Sequence, residues 1–574
     1  MNEALNILLY AISCDCNRLR GTLAWHEKVS SQTIDALRQV KETGRKLVLV
    51  TGRELADLER VFPEYKVFDY IVAENGALIH FVETGVEELL GQRPSENFIT
   101  ELKNRGVHPL SVGRVIVATR EPHEKTVLDV IKQSGIELQM IFNKGAVMIL
   151  PSGINKATGL QALLKMRHLS IHNTIAIGDA ENDSAMLEIA EYSVAVNNAL
   201  PALKERADFV TIADAGDGVR ELLLKVVEDE HAEVSDRLAR HYLHLGTMED
   251  QQDFTISPYR PGILLGGVSE GGKSTFGTSI AESLASAGYQ FCLIDPEGDY
   301  LELPDTVVLG NNITLPLPGE IVELLKNTQQ NLVVCLLSIP QADRPVFFSH
   351  LFAALLNLRR EYGHPHWLLM DEAHHLIPAH VVVPKDILSG GLTNFILIST
   401  SPHALNPALL SQVGMVITIG NNKKYVIEQF CVIRKCAVPG KIPDLSVGEA
   451  SVWDIGGGKD PYMIHYKLPG QLQHRHKRKY AIGDMAENSF IFTGPQNKMH
   501  LKANSLMMFV QLAEGIDDDT WLYHLKRNDY KNWAADCIHD QSLVDAVKEA
   551  GRRYPDVYGS KKIILGYIKK EYTA

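Results

Sequence analysis

The stretch Thr174-Ile-Ala-Ile-Gly-Asp-Ala-Glu-Asn-Asp-Ser-Ala-Met-Leu187 decides the fold of the first third of this 574-residue chain. Four residues typical of a buried strand end in a glycine, and an amphipathic helical pattern follows. Asp179 and Asp183 lie at that junction, where a parallel sheet places its ligands. Two carboxylates with no basic residue between them suit a hard cation such as Mg2+. Alternatively, both acids only stabilise the start of a helix, and spacing alone does not decide.

Length and composition predict a multidomain globular protein. Apolar residues make up 45% of the chain and charged residues 22%, which is ordinary for a globular protein of about three or four domains. No apolar run reaches the ~18 residues of a membrane span, and the N-terminus lacks a basic secretory start, so we expect a cytoplasmic protein without a membrane partner. The net charge of −13 disfavours nucleic acid as a partner, although a local basic stripe would still serve.

Strands and helices alternate from residue 1 to about residue 228. Continuous apolar runs typical of buried parallel strands alternate with helical patterns such as residues 31–42. This order predicts a doubly wound α/β sheet. Residues from about 85 to 150 carry a strand-helix-strand-strand pattern and are expected to form an inserted cap. The apolar runs lie at residues 6–13, 46–50, 71–73, 115–118 and 146–150.

Three short motifs of this region occur in a fixed order. Thr51 follows a strand, Lys156 opens a helical pattern, and Asp179 and Asp183 follow the strand quoted above. In this order they resemble motifs two, three and four of the haloacid dehalogenase-like phosphatases. The resemblance implies that Thr51 holds a phosphoryl oxygen, that Lys156 neutralises phosphate and nucleophile, and that the two acids bind Mg2+. Phosphoryl transfer needs such groups around its charged oxygens, whereas Lys156 alone would fit a solvated lysine at a helix start.

Residues 73–77 and the position of the cap resemble the Cof-type subfamily IIB of these phosphatases. This resemblance implies a phosphorylated small molecule of a sugar-like kind as the substrate. The identity of that molecule is left open, because one sequence does not define the pocket of a cap.

The first motif of the family is altered in this sequence. The family has Asp-x-Asp-Gly-Thr after its first strand, and Asp15 occupies the position that the resemblance assigns to the nucleophile and a metal ligand. Asn17 replaces the second acid, and the Gly-Thr pair follows late as Gly21-Thr22. Asparagine neither donates nor accepts the proton that the acid would transfer. Because general acid–base catalysis contributes about 10²–10⁴-fold, we expect the phosphatase to be slow or to have been redirected to another role.

A second nucleotide-type motif begins beyond residue 261. Gly267-Val-Ser-Glu-Gly-Gly-Lys-Ser274 fits G-x-x-x-x-G-K-S between a strand-like run and a helical pattern, which predicts a P-loop (Walker A). Backbone amides and the helix N-terminus would cradle the phosphates of ATP, Lys273 would reach the β- and γ-phosphates, and Ser274 would ligate Mg2+. The nucleotide-binding candidates are Gly267, Gly272, Lys273, Ser274 and Thr275.

Asp371 and Glu372, which follow the apolar run 367–370, are the predicted acidic partners of this loop. As a Walker B pair, Asp371 would hold Mg2+ through water and Glu372 would polarise the attacking water; the alternative is a strand end with a helix-capping pair. Residues 291–300 and 395–400 resemble the HerA/FtsK branch of P-loop ATPases. The Gln-Arg that this branch carries after the second segment is absent, so no intersubunit arginine is assigned and the oligomeric state stays open.

Together these patterns predict an α/β multidomain protein. A Rossmannoid sheet resembling the haloacid dehalogenases, with an α+β cap, precedes a P-loop NTPase α/β sheet and a small, mainly α domain. The expected boundaries are residues 1–228 (cap about 85–150), a mostly helical linker 229–250, the ATPase domain 251–470, a basic linker 471–488 and the C-terminal domain 489–574.

Two functions fit this organisation. The first is a two-headed hydrolase, in which a Mg2+-dependent phosphatase of a small phosphate ester is joined to a domain that binds and hydrolyses ATP. The second is a degenerate phosphatase-like domain that senses a phosphorylated ligand and regulates an ATP-driven motor acting on nucleic acid or protein. The catalytic candidates are Asp15, Thr51, Lys156 and Glu372, and the metal-binding candidates are Asp15, Asp179, Asp183, Ser274 and Asp371.

Overall fold

The stretch from Thr174 to Leu187 forms a buried strand, a single 3-10 turn and a helix. It lies in the first of two compact units, which ends at Lys467; the second unit comprises residues 468–574. The computed structural model describes residues 9–14, 22–23, 29–143, 145–228, 239–268, 271–381, 392–469, 489–538, 541–554 and 556–572.

An eight-stranded sheet organises the first part of the chain, in the order β12-β11-β10-β1-β2-β3-β4-β5. The strands from β12 to β3 are parallel, and β4 and β5 are antiparallel. The strand bounds are β1 Leu9–Cys14, β2 Lys46–Thr51, β3 Tyr70–Ala73, β4 Leu78–Phe81, β5 Val86–Leu89, β10 Thr174–Gly178, β11 Tyr192–Ala195 and β12 Phe209–Val210.

Helices connect these strands, as the alternating pattern predicts for an α/β sheet. Helix α1 has the predicted bounds, because Ser30 caps it and its apolar face (Ile34, Leu37, Val40) is buried in the core. The helices of this region are α1 Ser31–Glu42, α2 Leu55–Val61, α5 Lys156–Met166, α6 Ser184–Ile189, α7 Pro201–Arg206 and α8 Ala215–Glu228.

A four-stranded antiparallel sheet, in the order β6-β7-β9-β8, is inserted between β5 and α5. Two helices pack on it around a separate hydrophobic core. The insertion contains α3 Glu96–Asn104, β6 Ser111–Val112, β7 Val117–Arg120, α4 Glu124–Ser134, β8 Leu138–Asn143 and β9 Ala146–Pro151. Residues 86–89, within the range expected for the cap, instead form β5 and pair with β4 of the main sheet.

A second, eleven-stranded sheet follows in the same unit, in the order β14-β13-β23-β22-β21-β15-β20-β19-β16-β18-β17. The strands from β21 to β17 are parallel, and those from β14 to β22 are antiparallel. The strands are β13 Leu243–Met248, β14 Asp253–Ile256, β15 Gly262–Gly267, β16 Phe291–Asp295, β17 Thr306–Leu309, β18 Asn331–Cys335, β19 Trp367–Met370, β20 Phe395–Ser399, β21 Val413–Ile419, β22 Glu449–Asp454 and β23 Tyr462–Tyr466.

The helices beside this sheet bury most of its parallel part. Residues from both sheets of the first unit join one continuous hydrophobic cluster, which includes Leu243, Tyr259 and Tyr289. The helices are α9 Lys273–Ser286, α10 Pro318–Leu325, α11 Arg344–Tyr362, α12 Pro407–Leu410 and α13 Lys423–Arg434.

The second unit is a helical domain with one short hairpin. Its core is rich in aromatic side chains, among them Phe490, Phe509, Trp521 and Trp533. It contains β24 Phe490–Phe492, β25 Leu501–Ala503, α14 Leu506–Gly515, α15 Asp518–Lys526, α16 Asp529–Trp533, α17 Gln541–Arg553 and α18 Val557–Tyr572. No helix in the described part of the chain combines the length and the hydropathy needed to cross a membrane.

The expectation of a mostly helical linker at residues 229–250 is wrong over its last part. Residues 243–248 form β13, because Leu243 and Leu245 face the core while His244 between them is exposed, a period of two. Residues 229–238 and the basic linker 471–488 lie outside the described residues.

Candidate active sites

The carboxyl end of β10 brings the two acids of the first site together. Asp183 turns back so that its Oδ2 accepts hydrogen bonds from the backbone N–H groups of Asp179 and Ala180, both at 2.9 Å. A Cβ on Gly178 would lie 2.7 Å from the Cβ of Asp183, so glycine is needed for this close approach. Both acids are buried.

Lys156 provides the positive charge of this site. It is the first residue of α5, which Asn155 caps by accepting a hydrogen bond from the Thr158 N–H at 3.0 Å. Its Nζ donates to Asp183 Oδ1 at 2.6 Å, and both side chains are almost completely buried. The lysine therefore is not the solvated helix-start residue that the sequence left open, and it neutralises one of the two acids.

Two threonines line the same edge of the sheet. Thr51 ends β2, is fully buried, and lies level with Cys14, where β1 ends. Thr22 donates a hydrogen bond from its hydroxyl to Asp179 Oδ1. Asp15 and Asn17 lie outside the described residues; in sequence, Asp15 directly follows the end of β1, between the neighbouring strands that carry Thr51 and Asp179.

The donor set at this edge fits Mg2+. Asp179 and Asp183 offer carboxylate oxygens, the hard ligands that Mg2+ prefers. When bound, the cation would be held by these residues and Asp15, and it would polarise the phosphoryl oxygens of a substrate.

Sequence reasoning assigned no role to two residues beside this site. Glu74 accepts hydrogen bonds at 2.7–2.8 Å from three consecutive backbone N–H groups, residues 114–116, where the chain enters β7 of the inserted sheet. Asn75 accepts a hydrogen bond from the amide of Asn182, between the two acids, and its own Nδ2 has no partner among the described residues. Both lie in the Ala73-Glu-Asn-Gly-Ala77 motif, which was the available signal.

The second site lies at the carboxyl end of β15. The chain turns from this strand into α9, and Gly272 has φ of +96°, which only glycine adopts without strain. Lys273 is buried and its Nζ donates to the carbonyl of Val268 at 2.9 Å. Thr275 lies in the first turn of α9, and residues 269 and 270 of the loop lie outside the described part.

Asp299 contacts the loop from the neighbouring segment after β16. Ser274 donates a hydrogen bond from its hydroxyl to Asp299 Oδ2 at 3.0 Å. Asp295, at the end of β16, accepts backbone hydrogen bonds from residues 298, 299 and 300 at 2.8–3.0 Å and so shapes this turn. Burial raises the pKa of Asp295 to about 6, against the opposing effect of these hydrogen bonds. The Asp-Pro-Glu-Gly-Asp sequence was the signal for both acids.

Asp371 follows β19, which is separated from β15 by β20 alone. It is buried, and its Oδ1 has no hydrogen-bond partner among the described residues. Burial raises the pKa of Asp371 well above its usual range, and the charges of Asp295 and Asp299 raise it further. An unpartnered buried carboxylate oxygen in a group of acids fits Mg2+, which Ser274 and Asp371 would hold and which would neutralise the phosphate charge of a nucleotide.

Glu372 is held in a left-handed conformation, with φ of +39°. Its Oε2 lies 3.3 Å from Nδ1 of His374, which also lies 3.1 Å from the hydroxyl of Ser399 at the end of β20. Burial, together with the charges of His375 and Lys273, lowers the pKa of His374 to about 4. His374 is therefore neutral at pH 7 and contacts Glu372. Sequence analysis assigned no role to Ser399; the segment 395–400 was the signal for it.

Known proteins resemble the first part of the chain. The family model for haloacid dehalogenase-like hydrolases matches residues 19–113 and 111–223. Phosphoglycolate phosphatase of Methanothermobacter thermautotrophicus is 32% identical over 202 residues, which are 34% of this chain and 89% of that protein. Phosphoglycolate phosphatase 2 of Saccharolobus solfataricus is 35% identical over 187 residues, 32% of this chain and 77% of that protein. A crystal structure of a haloacid dehalogenase-like hydrolase from Bacteroides thetaiotaomicron is 21% identical, covers 38% of this chain and 98% of its own, and has a TM-score of 0.33.

Proposed function

The chain belongs to the haloacid dehalogenase-like hydrolases through residues 19–223, and on this basis we propose that its first site hydrolyses a small phosphate ester with Mg2+. The observation that carries the proposal is the buried group of Lys156, Asp183, Asp179 and Thr22 at the carboxyl edge of the sheet. This edge is where a parallel sheet binds its ligands.

The side chains of this site divide the reaction between attack on phosphorus and stabilisation of the phosphate charge. Asp15 attacks phosphorus, the hydroxyl of Thr51 holds a phosphoryl oxygen, and the ammonium of Lys156 offsets the charge of phosphate and nucleophile. The Nδ2 of Asn75, which has no partner among the described residues, offers a further donor to the substrate. Asn17 transfers no proton, so the leaving group departs without acid catalysis and turnover is slow.

The substrate is a small phosphorylated metabolite. The relatives named above are phosphoglycolate phosphatases. Phosphoglycolate is therefore a candidate substrate, in addition to the sugar-like phosphates that the type of cap favours. Release of phosphate from both, in the presence of Mg2+, tests the proposal with the full chain. Asp15→Asn should abolish release and Asn17→Asp should raise it about 10²–10⁴-fold. The control is Asp129→Asn, at an exposed position of the cap, which should leave phosphate release unchanged. Phosphate release that survives Asp15→Asn would contradict the assignment of the nucleophile.

For the second sheet we propose binding and hydrolysis of ATP. The proposal is supported by the loop into α9, by the Ser274–Asp299 hydrogen bond and by the unpartnered oxygen of Asp371. Glu372, positioned by His374, orients the attacking water. Lys273→Ala should abolish phosphate release from ATP, whereas Lys424→Ala, an exposed lysine of α13, should not; equal rates in these two variants would rule out this site.

A second candidate function is an ATP-driven motor regulated by the first domain. Asn17 favours it, because a domain without its proton-transfer group still binds phosphate. A cavity of about 380 Å3 in the C-terminal unit also favours nucleic acid as the motor's substrate, since basic side chains line it: Lys526, Lys531, Lys548 and Arg552. Stimulation of ATP hydrolysis by DNA or RNA, and its modulation by phosphoglycolate, would support the motor; rates unchanged by all three would support two independent hydrolases.

A further inference from the structure

A cluster of histidine, glutamate and tyrosine side chains lies away from both proposed sites, where the two sheets of the first unit meet. His172 lies in the 3-10 turn Ile171–Asn173 that leads into β10, at the opposite end of that strand from Asp179. Glu191 directly precedes β11, and His241 lies in the 3-10 turn Ala239–His241 that leads into the second sheet. Neither proposed function uses any of these residues.

Three potential metal ligands converge in this cluster. One ligand atom each from His172, Glu191 and His241 lies within 4.8 Å of the others. The Nδ1 of His172 is 2.6 Å from Glu191 Oε2, and the Nδ1 of His241 is 3.7 Å from the same oxygen. The ligand atoms of a tetrahedral zinc ion are about 3.3 Å apart, so small rotations of these side chains would bring them to a common ion.

Two histidine nitrogens of the cluster lack hydrogen-bond partners in the described part of the chain. The Nε2 of His241 is buried and unpartnered. His366 is 5% exposed, its Nδ1 accepts a hydrogen bond from the Gln290 N–H at 2.8 Å, and its Nε2 is therefore a donor that finds no acceptor. The ring of His366 lies edge-on to that of His172, with centroids 5.4 Å apart. Buried polar groups of this kind point to a missing partner.

One charged side chain beside the cluster already has a partner. The nearby guanidinium of Arg240 is paired with Asp208 at 2.9 Å, which offsets its charge.

Surrounding contacts hold the ligands in place. The hydroxyl of Tyr289 donates to Glu191 Oε1 at 2.7 Å, and the ring of Tyr289 stacks on that of His172 with centroids 4.0 Å apart. Tyr259 donates to the backbone carbonyl of His172 at 2.9 Å. Residues that hydrogen-bond to the ligands and orient them in this way are typical of metal centres. The tyrosines lie in segments that connect elements around the second sheet, whereas His172 and Glu191 precede strands of the first.

We propose that His172, Glu191 and His241 bind one zinc ion, which joins the two sheets of the first unit. Two imidazoles and one carboxylate form a ligand set of the kind zinc accepts. The Nε2–H of His366, whose ring lies beside that of His172, would be a nearby donor to a water molecule bound to the ion. The proton now shared by His172 and Glu191 is displaced when the ion binds.

Zinc content of the full chain without an affinity tag tests this proposal. The protein is loaded with Zn2+ in the presence of excess Mg2+, which fills sites that prefer hard ligands, and is then dialysed and measured by mass spectrometry. We expect about one zinc ion per chain for the wild type and at least a tenfold weaker affinity for His241→Gln and Glu191→Gln. The matched control is His244→Gln, because His244 is exposed and pairs with Asp253 at 3.1 Å; it should retain zinc.

Two further measurements keep the test decisive. Circular dichroism identifies variants that have not folded, and Co2+ in place of Zn2+ gives the strong visible absorption of a tetrahedral site only if the three ligands act together. Zinc should also raise the melting temperature of the wild type and of His244→Gln but not of folded His241→Gln. Equal zinc content in wild type and His241→Gln, or no bound zinc in either, would overturn the proposal.

Discussion

The two sheets of the first unit both place acidic residues at the carboxyl ends of parallel strands, but they balance the charge differently. In the first sheet, Asp183 is paired with the buried ammonium of Lys156 and with two backbone N–H groups. In the second, Asp371 faces other acids, and its Oδ1 has no hydrogen-bond partner among the described residues. The first site is thus balanced by a cation of the protein, whereas the carboxyl group of Asp371 lies among acids of the same charge.

The largest effect is expected at the buried pair of the first sheet. Lys156→Met removes the ammonium group that pairs with Asp183 and leaves the carboxylate of Asp183 buried. Removing one partner of such a pair lowers the free energy of unfolding by about 3–5 kcal/mol. Urea denaturation at neutral pH measures this loss. Adding Asp183→Asn should recover part of it, and Lys165→Met, an exposed lysine of the same helix, should change stability by less than about 0.5 kcal/mol. Additive effects of the two substitutions would mean that the pair is not coupled.

The opposite sign is expected for stability in the second sheet. Asp371→Asn removes a carboxyl group whose ionisation is opposed by burial and by neighbouring acids, so the unfolding free energy without Mg2+ should rise by about 1 kcal/mol. ATP hydrolysis should fall about 10²–10³-fold, because the cation that offsets the phosphate charge is bound less well. Glu320→Gln, an exposed acid of α10, is the control for both measurements. A loss of stability in Asp371→Asn would remove the contrast between the two sites.

The pH dependence of stability is the third expected difference. The pKa of Asp295 is raised to about 6 in the folded protein, compared with about 3.9 in the unfolded chain. The contribution of this group to stability is therefore complete below about pH 3.9 and is lost as the pH rises through about 6. The loss amounts to about 3 kcal/mol of unfolding free energy. Urea denaturation of the metal-free protein should show this loss between about pH 4 and about pH 6.5. Mg2+ with ADP should reduce this loss of stability, because the cation favours the ionised form of the acids. An equal dependence of stability on pH with and without Mg2+ and ADP would contradict this explanation.

The smallest effect concerns a single hydrogen bond of the first site. Thr22→Val removes the hydroxyl that donates to Asp179 and should lower the unfolding free energy by about 1 kcal/mol. Thr22→Ser keeps the donor and should restore most of it. Phosphate release should fall in the valine variant, because Asp179 is then less well positioned. Equal stability of the two variants would show that this hydrogen bond contributes nothing measurable.

Local patterns predicted much of this molecule. The sequence predicts a strand over residues 174–177, which form β10 with Gly178, and a helix over residues 31–42, which are the bounds of α1. These features depend on neighbouring residues, so a pattern of a few positions defines them. The haloacid dehalogenase-like fold of the first part followed from three ordered motifs and is confirmed by the family relationship.

Contacts between distant segments were not predictable in the same way. The hydrogen bond from Thr22 to Asp179 joins residues 157 positions apart, and the cluster of His172, Glu191 and His241 depends on how the two sheets pack. Strand β13 was mistaken for a linker because two buried leucines in a short polar stretch are a weak signal. Sheet order decides which residues meet, and no local pattern encodes that order.

Strand β10 links the proposed phosphatase site to the contact between the sheets. Asp179 follows one end of the strand and His172 precedes the other, and the five residues between Thr174 and Gly178 are all buried. At about 3.3 Å per residue, the strand is a rod of about 16 Å. Because β1 and β11 are hydrogen-bonded to it on both sides, the strand resists bending, so a displacement of His172 along the strand axis would also displace the peptide of Asp179.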